Sequence, residues 1–84
     1  MPAVKRFNRC RIEMYFRDHP PPHFHVVTSA GEKVAIAIES LNVLQGKADP
    51  RDITEAIDWA RSNRPQLRTW WNKYAEGQKH GEES

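Results

Sequence analysis

An α+β fold, with a small antiparallel sheet of three or four strands followed by a C-terminal helical hairpin, is what three observations in this sequence predict. Apolar and polar residues alternate with period two over residues 9–17, 23–28 and 33–39. The period lengthens to that of a helix after Asp49-Pro50, and Pro65 divides the helical region in two. Strands gathered before helices place the helices on one face of the sheet.

Over residues 9–17, Cys10, Ile12, Met14 and Phe16 fall on one side and Arg9, Arg11, Glu13, Tyr15 and Arg17 on the other, the pattern of a half-buried strand. Pro20-Pro21-Pro22 removes three backbone donors, so pairing must stop there and restart at His23. From His23 onward Phe24, Val26 and Thr28 share one face, and His23, His25 and Val27 the other. Ser29-Ala30-Gly31-Glu32 is a hairpin turn in which Gly31 can supply positive φ. In the next strand Val34, Ile36 and Ile38 turn to the core while Lys33, Ala35, Ala37 and Glu39 turn away, and residues 42–44 are a short fourth strand before Gly46.

Asp49 reads as a helix N-cap followed by proline at the first helical position, where a missing N–H costs nothing. Ile53, Ala56, Ile57 and Ala60 form its apolar stripe, with Trp59 at the margin. Asn63-Arg64-Pro65 ends this helix and begins another, whose stripe is Leu67, Trp70, Trp71 and Tyr74, with Gly77 as the stop. The helical spacing favours a core role for these aromatics over a base-stacking platform, and Trp59 is the one expected to stay partly exposed.

With 84 residues the chain predicts one domain, an ordered core of about residues 7–76 and a polar tail. A core this small gains from a second stabiliser, so a homodimer is expected. Cys10 is the only cysteine, which excludes an intrachain disulfide and suits a small core residue. No apolar run is long enough for a signal peptide or membrane span, so a cytoplasmic location and no membrane partner are expected. The net charge of +2 identifies no partner by itself. Its distribution is uneven, because residues 1–17 carry Lys5, Arg6, Arg9, Arg11 and Arg17 against Glu13 alone. Arg9, Arg11 and Arg17 are therefore the candidate nucleic-acid contacts, with solvated strand charge as the simpler account.

The most informative segment is Asp18 to His25, DHPPPHFH. His23 and His25 stand two apart on a strand, so their rings project from one face, and His19 can fold back across the prolines. His19, His23 and His25 with one open position would make a site for a divalent metal such as zinc, with Asp18 as ligand or orienting partner. The His-x-His pattern resembles the metal segment of cupins and the histidine run of histidine-triad nucleotide hydrolases, although neither complete motif is present. Without metal, His23 and His25 could exchange protons in phosphodiester chemistry, with Asp18 fixing a tautomer and Arg17, Arg11 and Tyr15 holding phosphate. The structural alternative has the histidines packing with Phe24 beside a rigid loop.

The order IEMYFRDHPPPHFHV (12–26), then AIAI (35–38), Gly46, EAIDWA (55–60), Leu67 and Trp70 resembles a group of small bacterial proteins known as domain of unknown function forty-one sixty. The likeness runs over roughly residues 7–75, and the signature falls on Asp18, His19, Pro21, Pro22, His23, Phe24 and His25. Pro20 is the main departure. The resemblance implies no reaction. Genes of the family often stand beside a second small gene of antitoxin type, which implies a component of a type II toxin–antitoxin pair. The expectation is a protein that binds a small antitoxin-like partner, and RNA if it is the toxin, with a metal-dependent hydrolase as the alternative.

Overall fold

The computed structural model describes residues 3–15 and 19–76. Five strands precede two helices: β1 (Ala3–Arg6), β2 (Cys10–Glu13), β3 (His23–Thr28), β4 (Lys33–Ala37), β5 (Val43–Gly46), α1 (Pro50–Ser62) and α2 (Arg64–Trp71), the last running into a wider π-type turn, Asn72–Glu76. The strands lie side by side in chain order, each antiparallel to the next. The α+β class agrees with the sequence, but the sheet has five strands rather than three or four. The extra strand is β1, four residues long and too short to show an alternation of its own. Pairing with β2 creates it, in the register Lys5 opposite Ile12 and Arg6 opposite Arg11. β2 is also shorter than the alternation over residues 9–17 suggests, since pairing stops at Glu13; Phe16, Arg17 and Asp18 lie outside the described residues.

The helices cover one face of the sheet. Ile12, Phe24, Val26, Val34 and Ile36 from the strands, with Ile38 just past β4, pack with Ile53, Ala56, Ala60, Leu67 and Trp71 from the helices into one buried cluster. Asp49 caps α1 by accepting a hydrogen bond from the Arg51 N–H, and the Arg51 side chain and this N–H hold the Asp49 carboxyl down to about 2. The second helix is tied to the sheet by Arg64, whose guanidinium donates to the carbonyls of Ile38 and Glu39 and to that of Arg61. Trp71 is buried as its stripe predicts. Trp70 and Tyr74 are only partly buried, and Trp70 stacks on the equally half-buried Trp59, 5.8 Å between centroids. Burial pushes the Cys10 thiol above its ordinary 9.0, as expected of an inert core cysteine. No described helix is long and apolar enough to cross a membrane.

Two glycines take positive φ, Gly31 at +90° in the β3–β4 hairpin and Gly46 at +88° at the end of β5. They differ in surroundings. A Cβ at position 31 meets nothing within 4 Å, whereas one at 46 runs into the Lys33 carbonyl oxygen on the neighbouring strand. Gly31→Ala should therefore cost only the left-handed backbone penalty, about 1 kcal/mol, while Gly46→Ala should cost clearly more because β4 and β5 must part. Urea midpoints of the two variants, with unchanged slopes, measure the difference.

Candidate functional site

The strand register builds the second face of the sheet, turned away from the helices, row by row. Arg6 lies opposite Arg11, Arg11 opposite Val27, and Val27 opposite Lys33, so three cations from β1, β2 and β4 share one row. The next row holds Glu13, His25, Ala35 and Gln45. His23 pairs with Ala37 in the row beyond, towards which Tyr15 extends from the end of β2. The long side chains lie over Val27 and Ala35, which are buried although no described helix covers them.

Glu13 organises this face. Its carboxylate is buried, accepting from Arg11 Nε at 2.7 Å and from the Tyr15 hydroxyl at 2.8 Å. Burial alone would push its pKa up. The Tyr15 and Arg11 hydrogen bonds, with the charges of Arg11 and Lys33, outweigh burial and leave the pKa below its ordinary 4.5. The Tyr15 phenol moves upward, first through its own burial; Lys33 acts against this and the Glu13 carboxylate adds to it. The Lys33 ammonium stands 5.1 Å from the Tyr15 ring centroid, and the same ring stacks on His25 at 4.2 Å with 28° between planes.

The histidines form a series across the end of the sheet. His25 is 5.1 Å from His23 between centroids, and His23 is 6.1 Å from His19. His23 is buried, with Trp71 at 5.1 Å, and its Nδ1 lies 2.7 Å from the Pro21 carbonyl oxygen. A carbonyl can only accept, so Nδ1 carries the proton and donates. The proline loop is thereby tied to the ring, and its Pro22 carbonyl accepts from the Ile38 N–H at the end of β4. His25 and His19 are more accessible.

Of the residues singled out by sequence, His19, His23 and His25 are brought together, and Arg11 stands one row from His25 and two from His23, committed to Glu13. Arg9 is elsewhere: it sits in the β1–β2 turn and reaches Asp52 of α1 at 3.4 Å. Arg17 and Asp18 lie outside the described residues. Among the described residues, no group of three or more His, Cys, Asp or Glu side chains is arranged to hold a metal ion. Glu13, Lys33 and Arg6 are the members that sequence reasoning passes over. Alternation already places Glu13 and Lys33 on the polar faces of their strands, but only cross-strand register shows that they meet.

A folded-state pKa below the unfolded value means that Glu13 contributes stability above its ordinary 4.5, lost as the pH falls through the lower folded value. Thermal melts should therefore show the wild type weakening below that range. The weakening should be shallower in Glu13→Gln, with Asp49 supplying part of what remains. At pH 7 the same substitution should cost about 1–2 kcal/mol, because a charge-assisted pair with Arg11 is replaced by neutral contacts.

Comparison with curated proteins and with solved structures gave no match. The family model described as domain of unknown function DUF4160 matches residues 10–72, a span that begins with β2 and ends just past α2 and so contains the histidine series, Glu13 and Lys33. With three-quarters of its length inside that match, the chain belongs to the DUF4160 family.

Proposed function

We propose that this protein is the RNA-contacting member of a toxin–antitoxin-like pair, and that the second face of the sheet is its nucleic-acid surface. The observation that carries the reading is the placement of the cationic row of Arg6, Arg11 and Lys33 beside the stacked Tyr15 and His25. Cations neutralise phosphates, and aromatic rings on a sheet give bases a surface on which to stack. The paired arrangement, with a small antitoxin-like protein as partner, rests on what the resemblance to this family implies.

The test has a binding arm and a cellular arm. A fluorescein-labelled single-stranded RNA should bind at low salt, with log K falling against log salt by about 0.7 per phosphate neutralised. His25→Ala combined with Lys33→Gln should weaken binding at least tenfold while leaving the circular dichroism spectrum unchanged. His23 is a poor choice for this purpose, because its burial against Trp71 makes its truncation a stability change. Expression without a partner should arrest growth, and the same double variant should relieve the arrest. Absence of RNA binding at low salt, or harmless expression of the unpartnered wild type, overturns the corresponding half of the reading.

A second reading, a metal-dependent hydrolase on His19, His23 and His25, is favoured by one observation, the contiguous run of three imidazoles. It requires stoichiometric metal in the purified protein and a lower melting temperature after chelation. Elemental analysis that finds neither zinc nor another divalent metal, with melting unchanged by EDTA, removes it.

A further inference from the structure

The register of β1 on β2 places Arg6 directly opposite Arg11. Like charges facing each other across an antiparallel pair oppose sheet formation; the buried Glu13 accounts for Arg11, which is half-buried, but no described carboxylate accounts for the exposed Arg6. Beside this pair is a cavity of about 130 Å³ lined by Arg6, Phe7, Cys10, Arg11, Val27 and Ser29. We infer that Arg6 and Arg11 frame a phosphate-binding site at the hairpin end of the sheet's second face.

The two guanidiniums differ in a way that suits this role. Arg11 is fixed by its Nε bond to Glu13, which leaves its two terminal amino groups outside that carboxylate contact. Arg6 is exposed and, among the described residues, has no carboxylate partner. The main-chain donors nearby are spent, since Phe7 N–H donates to the Cys10 carbonyl and Ser29 N–H to the Arg9 carbonyl, and the Ser29 hydroxyl also donates to Arg9. Recognition therefore falls to the guanidiniums, whose planar forks match phosphate oxygens. Lys33, in the same row beyond Val27, adds a third positive charge, and the Glu13 carboxylate in the next row is already paired with Arg11 and Tyr15. A phosphate between Arg6 and Arg11 turns a repulsive pair into an attractive one. The site deepens the RNA reading by naming where one backbone phosphate sits, but it stands on its own geometry for phosphate itself.

Two probes separate the inference from that reading. Inorganic phosphate, titrated into 15N-labelled protein, should give saturable shifts centred on Arg6, Arg11, Val27 and Ser29, and Arg6→Gln should reduce its affinity at least fivefold. Single-stranded RNA should bind Arg6→Gln more weakly than wild type, with the magnitude of the salt slope lower by about 0.7, the share of one phosphate. Shifts that are absent, unsaturable or scattered over the surface, or a phosphate affinity unchanged in Arg6→Gln, overturn the site. Phosphate binding without RNA binding upholds the site and overturns the RNA reading. RNA binding of equal strength and salt slope in wild type and Arg6→Gln overturns the assignment of a backbone phosphate to this pair.

Discussion

A strand paired on both sides cannot slip by one residue without exchanging its two faces, and β3 is held in that way between β2 and β4. A one-residue slip would turn Phe24, Val26 and Thr28 away from the helices and turn His25 towards the apolar cluster. Burial of Phe24 and Val26 thus determines where the imidazoles stand. The same constraint reaches the other strands: Glu13 and Ala35 lie opposite His25 because Ile12 and Val34 lie opposite Val26. The polar face is a consequence of the packing on the apolar one.

Glu13 shows how a carboxylate can be buried on a sheet face with little risk to the fold. An unpaired buried carboxylate would carry a large desolvation penalty, and a paired one roughly breaks even. Here two donors come from neighbouring positions on the same side of the same chain segment, Arg11 and Tyr15, so little extra ordering is needed to hold them. What the arrangement provides is orientation. Tyr15 is held by its hydroxyl, its ring lies against His25, and Lys33 is drawn over it. Glu13 thereby holds the ring that stacks on His25, the residue opposite it on the neighbouring strand.

The elements that can be read from sequence are those with a local cause. Asp49 and Pro50 specify the start of α1 through capping and a missing donor, and Asn63-Arg64-Pro65 divides the helices for the same kind of reason. Alternation over residues 23–28 separates Phe24 and Val26 from His23 and His25 without further information. β1 has no such signature: Ala3–Arg6 is a strand because Arg11 and Ile12 offer it a ladder. Assembly of the site is likewise non-local. The partnership of Glu13 with Arg11 and Tyr15 lies within one strand and its extension, but the meeting of Lys33 with Tyr15 depends on a register across three strands that spacing in sequence does not encode. His23 is the reverse case, conspicuous in sequence as chemistry yet closed in beside Trp71 and tied to Pro21.

Among the described residues β1 and β5 are the edges of the sheet, and the register of each is broken once. On β1 the break falls between Ala3 and Lys5, and on β5 the partners jump from Gln45 to Val43, so Val4 and Leu44 each lack a rung. A four-residue edge with a missing rung offers an incoming chain no uninterrupted template, and this matters most at β5, where Val43 and Leu44 are exposed and uncharged. The bulges thus act as stops on sheet growth. An unbroken ladder there would offer Val43 and Leu44 to a second copy as the start of a fibre.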